Sequence, residues 1–194
     1  MLETTTFMPI LTGIFIVIAV LLFITIFFVV TYNGLVTMRN RVRNQKSQID
    51  VELKRRFDLI PNLVEIVKGY AEHEKSALED VIKARNTYVT AANNTADALS
   101  ADTALTGALS KLFALSESYP DLKANTNFVS LQADLSNIEQ KVVYSRQFYN
   151  DSVFLLNNKI EKFPSNIIAS MFNFEPGVFF EATDSEREAV KVNF

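Results

Sequence analysis

FMPILTGIFIVIAVLLFITIFFVV, residues Phe7 to Val30, decides how the rest of the chain is read. No charged side chain occurs from Thr4 to Met38, and the 24 quoted residues are almost wholly apolar. As a helix they reach roughly 36 Å, enough to cross a hydrocarbon core of about 30 Å with some tilt. A helix is required because backbone polar groups in lipid must be satisfied within their own segment. A cleaved signal peptide is the rival reading. It calls for a basic leader, a shorter apolar core and small residues at the cut. Glu3 is instead the only charged side chain before the run, and Val29-Val30-Thr31-Tyr32 is a poor cleavage context. A soluble core helix with so long an uncharged run does not suit a chain of 194 residues.

Immediately outward of this stretch, the charges set an orientation. Between Arg39 and Arg56 lie Arg39, Arg41, Arg43, Lys46, Lys54, Arg55 and Arg56, opposed only by Asp50 and Glu52. Cations next to a span stay on the cytoplasmic side, so residues 32–194 are expected in the cytoplasm and residues 1–6 outside, as a short extracytoplasmic tail. Arg39, Arg41, Arg43 and Lys46 fall within about 25 Å of the bilayer exit on a continuing helix, and the nearest of them are placed to meet anionic headgroups. Lys54, Arg55 and Arg56 lie too far out for lipid and are expected to pair with acidic residues across the bundle or between subunits. A net charge of −3 and a patch tethered at lipid argue against nucleic acid as a partner. The chain has no cysteine, so no disulfide framework points to an oxidising compartment.

The remaining residues show almost no strand signal and abundant helical periodicity. No proline occurs between Pro9 and Pro61. The spanning helix (residues 7–31) is therefore expected to continue as a stalk over about 32–57, roughly 70 Å in all. Gly34 in the joint costs about 1 kcal/mol. Leu35, Val42 and Ile49 recur at intervals of seven along this stalk. A second helix, about 61–90, starts at Pro61, since proline suits a first turn and breaks a helix interior. Ala91 to Asp97 reads as a turn. A third helix covers about 98–119 and ends before Pro120. A fourth, about 127–162, is capped by Asn125-Thr126-Asn127 and carries an apolar stripe from Phe128 through Leu135, Val142, Tyr149 and Leu156 to Phe163. Its steps of four and three predict shallow packing in a bundle or coiled coil. The expected architecture is all-α: an N-terminal transmembrane helix continuing into an elongated antiparallel four-helix bundle over residues 32–163. Residues 164–194 form a tail with a short helix from Ile167 to about Phe172. Its aromatics Phe172, Phe174, Phe179 and Phe180 either dock back on the bundle, the favoured reading, or meet another subunit or partner.

Several runs carry a family likeness. Tyr32-Asn-Gly-Leu-Val36, Asp58-Leu-Ile-Pro-Asn-Leu-Val64, Glu117-Ser-Tyr-Pro-Asp-Leu-Lys-Ala-Asn125, Tyr149-Asn150 and Phe163-Pro-Ser-Asn166 stand in the order found in the LemA family, which the chain resembles from Tyr32 onward. The resemblance implies a single N-terminal anchor and a bundle of long helices. It brings no established reaction. The family includes relatives implicated in shaping bacterial inner membranes around magnetosomes, and members often accompany membrane metalloproteases or TPM-domain proteins, which the resemblance offers as possible partners.

Catalytic chemistry finds little support. His73 is the single histidine; His73-Glu74 lacks the second histidine of a zinc-protease helix, where Ala77 stands. No glycine-rich phosphate loop and no nucleophile elbow occur. Glu72, Glu74, Glu79 and Asp80 read as a solvated helix face beside Lys75 and Lys83. No catalytic, cofactor-binding or metal-ligating residue is therefore assigned. Two classes of function remain: a non-catalytic scaffold that forms homo-oligomers at the bacterial cytoplasmic membrane, in contact with its lipid bilayer, and an adaptor or regulator of a membrane protease or other envelope enzyme.

Overall fold

The computed structural model describes residues 2–71, 73–91 and 95–180. Those residues are mostly helical and contain no strand. The elements are α1 (Leu2–Tyr70), α2 (Lys75–Ala91), α3 (Thr95–Ser116), α4 (Pro120–Lys123), α5 (Thr126–Glu161) and α6 (Ser165–Met171). They divide into two compact units, Met1–Asn44 with Asp151–Val178, and Gln45–Asn150 with Phe179–Phe194; α1 and α5 contribute residues to both. The acidic stretch after Phe180 lies outside the described residues, as does the middle of the expected turn at Ala91 to Asp97.

The first unit holds the apolar run. α1 contains the one helix among the described residues that is long and apolar enough to cross a membrane, and the apolar window is not buried inside the protein. Phe15 and Phe23 are among its most exposed side chains. The Thr25 hydroxyl donates to the carbonyl of Leu21 at 2.8 Å, one turn back, so this polar group is satisfied without water. Beyond the run, Leu35 is fully buried with Leu156, Ile168, Ala169 and Phe174, flanked by Phe27, Phe28 and Tyr32. α6 is joined to α5 through a cis Phe163–Pro164 bond. The Ser165 hydroxyl lies 2.6 Å from the carbonyl of Lys159, near the end of α5, and 2.8 Å from that of Lys162, which also accepts from the Asn166 N–H at 2.9 Å. This is the part played by Ser165 in the Phe163-Pro-Ser-Asn166 run; no side-chain cap forms at the start of α6 itself.

In the second unit one core draws Ile60, Leu63 and Val67 from α1, Leu78 and Val81 from α2, Leu105, Leu109 and Leu112 from α3, Leu122 from α4, and Phe128 and Leu135 from α5. Most of the α5 stripe read from the sequence is a buried face, with Phe128, Leu135, Ile138, Val142, Tyr149 and Leu156 all buried; its expected last member, Phe163, lies beyond the end of α5 and is 80% exposed. Asn125 caps that helix, accepting from the Phe128 N–H at 3.0 Å.

The expected break at Pro61 is corrected. α1 runs through Pro61 to Tyr70, and the chain turns only at Ala71 to Glu74. A proline inside a helix leaves the carbonyl four residues earlier without its N–H donor, and its ring crowds that carbonyl. Here the carbonyl belongs to Phe57, and the Arg85 Nε–H donates to it at 3.3 Å. The Arg85 guanidinium lies 3.6 Å from the centroid of the Phe57 ring. A side chain from α2 thus supplies what the proline removed. The true turn coincides with a gap in the apolar spacing, from Ala71 to Ala77, just after Gly69. Other boundaries move less. Residues 2–6 are already helical, so the expected N-terminal tail is part of α1; the third helix stops at Ser116, and Pro120 opens a separate turn of helix.

Candidate functional site

The second unit contains a buried charge network built from three long helices. Asp102 on α3 accepts from Arg56 Nη1 of α1 at 2.8 Å and from Arg146 Nη2 of α5 at 2.9 Å. Arg56 Nη2 donates to the Thr106 hydroxyl at 2.9 Å. The Arg56 side chain is only 3% exposed, that of Asp102 8% and that of Arg146 16%. The three groups line a cavity of about 190 Å³ together with Thr103, Thr106, Glu139, Val142 and Val143. The Nε atoms of Arg56 and Arg146 are buried without a hydrogen-bond partner. Tyr88 shares this electrostatic environment: burial first, then the negative charges of Asp102 and Asp50, push its hydroxyl up to about 12, against a smaller pull from Arg146 and Arg56. Two guanidiniums on one carboxylate tie three helices together, and a one-turn slip would strand a buried charge.

The end of the second unit where the chain turns carries a polar clasp. Tyr119 donates to Glu74 Oε1 at 3.0 Å, and the Asn125 side-chain amide donates to the Tyr70 hydroxyl at 3.0 Å. Lys123 pairs with Glu117 on the surface. The run from Glu117 to Asn125 is thus a connector that ties the α1–α2 turn to the start of α5. The bond to Glu74 is the main reason the Tyr119 hydroxyl is held above its usual range. Glu74 precedes α2 and does not share its surface face with Glu79 and Asp80; Glu72 lies outside the described residues. His73 is exposed in the same turn.

After α6 the chain is extended, and asparagines on α5 hold its backbone. In the first unit Asn157 donates to the carbonyl of Gly177 at 3.0 Å and accepts from its N–H at 2.8 Å. A Cβ at Gly177 would meet both methyls of buried Val153 at 3.2 Å, so glycine is what allows the approach. In the second unit Asn150 makes the same two bonds to Phe180, each at 2.9 Å, while the Phe180 ring meets Tyr149 at 4.9 Å in an edge contact.

The residues singled out from the sequence separate accordingly. Phe174 is buried and meets Tyr32; Phe172 stays 45% exposed, with its ring 4.7 Å from Tyr32 and 6.0 Å from Phe28. Phe179 is exposed. Arg39 lies over the Phe174 ring at 4.9 Å, whereas Arg41, Arg43 and Lys46 are exposed. Arg56 is the cation of the distal trio that enters the core, and Lys54 pairs with Asp58 on its own helix face. Sequence reasoning missed Asp102, Arg146, Arg85 and the two asparagines. The available signals were a lone carboxylate in step with Leu105 and Leu109, and two asparagines exactly one heptad apart on α5. Among the described residues no group of three His, Asp or Glu side chains is placed to hold a metal ion.

These features define a class: an all-α protein with one N-terminal helix long and apolar enough to cross a membrane, and a helical core registered by buried ion pairs. The family model described as LemA family matches residues 45–194, and the chain belongs to that family. It is 27% identical to Protein LemA of Metamycoplasma hominis, covering 92% of this chain and 84% of that protein. It is 24% identical to Magnetosome protein MamQ 2 of Paramagnetospirillum magneticum and to Magnetosome protein MamQ of Magnetospirillum gryphiswaldense, in each case over 77% of this chain. The chain spans 64% of the length of those two MamQ proteins.

Proposed function

We propose that the protein is a non-catalytic scaffold, anchored in the bacterial cytoplasmic membrane by α1 with its helical domain in the cytoplasm, and that it self-assembles there to organise or remodel the membrane. The observation that carries the reading is α1 itself. It is one uninterrupted helix whose apolar run is left uncovered and whose later turns enter both hydrophobic cores. Lateral assembly is supported by exposed apolar side chains on α5, among them Val129 and Tyr144. The relatives named as magnetosome proteins support a membrane-organising role. The orientation rests on the cations that follow the run.

The test is the mass of the full-length protein purified in mild detergent and in native membrane patches. A defined multimer that falls apart in a Val129→Glu/Tyr144→Glu variant supports the scaffold. A strict monomer in both preparations sinks it. A monomer held in stoichiometric complex with a membrane protease or other envelope enzyme replaces it with the adaptor reading. Labelling of single cysteines at Asn44 and Lys111 from outside intact cells would overturn the cytoplasmic orientation.

A further inference from the structure

The first unit places α6 beside the end of the apolar run, and this position has a consequence for its outer face. Ile168 and Ala169 on α6 are buried against the cluster that contains Leu35, Phe27, Phe28 and Tyr32. Phe28 belongs to the uncharged run, whose roughly 36 Å slightly exceeds a hydrocarbon core of about 30 Å. Phe28 to Val30 therefore fall where hydrocarbon gives way to headgroups. A helix packed on them shares that depth. Exposed apolar side chains stand on it and at its two ends: Phe163 is 80% exposed, Met171 59%, Ile167 53% and Phe172 45%, with polar Asn166 and Ser170 exposed between them. Beyond the apolar run, Arg39, Arg41, Arg43, Lys159 and Lys162 outnumber Asp151, Glu161 and Glu175 among the charged residues of this unit.

We propose that Phe163, Ile167, Met171 and Phe172 form a lipid-docking foot, which enters the headgroup–acyl boundary of the same bilayer that α1 crosses. The inference rests on the anchor reading of α1. The patch is continuous with the lipid-facing run through the ring contact of Phe172 with Phe28 at 6.0 Å. Exposed apolar side chains at that depth are what an interfacial helix buries in the headgroup–acyl boundary, and the excess of cations in the unit favours an anionic lipid surface. With the foot in place, the protein holds the membrane at two points, one spanning and one lying in the interface.

The absence of cysteine makes the experiment clean. Full-length single-cysteine variants at Ile167 and Met171 are labelled with an environment-sensitive fluorophore and reconstituted in vesicles of mixed zwitterionic and anionic phospholipid. Val20→Cys, in the run, and Asn44→Cys, about 21 Å beyond Val30 along α1, serve as references. The labels at 167 and 171 should lose roughly half their emission to lipid carrying a nitroxide near the headgroup, while the label at 44 keeps its emission. Quenching at 20 by lipid carrying its nitroxide at the acyl-chain end, with none at 167 and 171 by the headgroup nitroxide, overturns the foot and leaves the anchor standing. No quenching at 20 by the acyl-chain nitroxide overturns the anchor, and the foot with it. Labels at 167 and 171 that are shielded from a water-soluble quencher yet untouched by nitroxide lipid are covered by protein, which also overturns the proposal.

Discussion

Replacing Asp102 by alanine tests the charge network most directly. The carboxylate is the charged partner of both Arg146 and Arg56, at 2.9 and 2.8 Å, and the Arg146 guanidinium also lies 5.9 Å from the centroid of the Phe180 ring. Arg146 can swing toward solvent once released. Arg56, 3% exposed, cannot do so without opening the contact between α1 and α3. Breaking a buried pair by deleting one partner costs about 3–5 kcal/mol, most of it the stranded charge. For a chain of this size that corresponds to a fall of about 6–20 °C in Tm. Arg146→Ala leaves the Arg56–Asp102 pair intact and forfeits one charged hydrogen bond, about 1.5–3 kcal/mol. The concerted replacement Arg56→Met/Asp102→Leu/Arg146→Met removes all three charges, along with two guanidinium Nε groups that have no partner. Apolar replacement of such a triad is neutral or stabilising by about 1–4 kcal/mol. The assay is thermal unfolding of the full-length protein in detergent, followed by far-ultraviolet circular dichroism. If the triple variant is as damaged as Asp102→Ala, or if Asp102→Ala matches the parent, the register argument is wrong.

Three further outcomes are expected. Arg85→Ala should cost about 2 kcal/mol by orphaning the Phe57 carbonyl and losing the ring contact; in a Pro61→Ala background, where residue 61 regains its N–H, the same change should cost about 1 kcal/mol less, and an equal loss in both backgrounds removes the explanation for the unbroken helix. Because the folded Tyr88 hydroxyl titrates at about 12, above its unfolded value of 10.0, its contribution is complete below pH 10 and is lost as pH rises toward 12; stability should fall through that window, and Tyr88→Phe should lessen the slope, as read by denaturant unfolding at successive pH values. Asn157→Ala, which removes two bonds to Gly177, and Gly177→Val, which drives a branched side chain into Val153, should each free the extended segment and speed its cleavage in limited proteolysis, while Phe179→Ala, at an exposed position, should leave cleavage unchanged.

The helices that follow from periodicity alone were the most legible part of the molecule. The run Phe7–Val30 and the α5 stripe from Phe128 to Leu156 are continuous apolar patterns, and each sits on one helix. Pro61 was misread because its helix-breaking effect is local, whereas its remedy, Arg85, arrives from another helix 24 positions later. The network was half legible. Arg56 was expected to pair, but the lone Asp102 names no partner until α1, α3 and α5 are brought together. The asparagine clamps were faint for a different reason. They bind backbone, so nothing in the segment they hold advertises them except a glycine at 177.

The first unit has a further consequence, for synthesis. Its core joins Leu35 to Leu156, Ile168 and Phe174, drawn from residues 1–44 and 151–178, so the earliest and the late parts of the chain complete each other. At translation rates of about 5–20 residues per second, the interval between Leu35 and Phe174 is about 7–28 s. For that time the nascent helix has left the ribosome with Phe27, Phe28 and Leu35 lacking the neighbours that will cover them. Early delivery of the apolar run to the insertion machinery shortens the exposure of the two phenylalanines, and Leu35 must wait for the rest of the polypeptide.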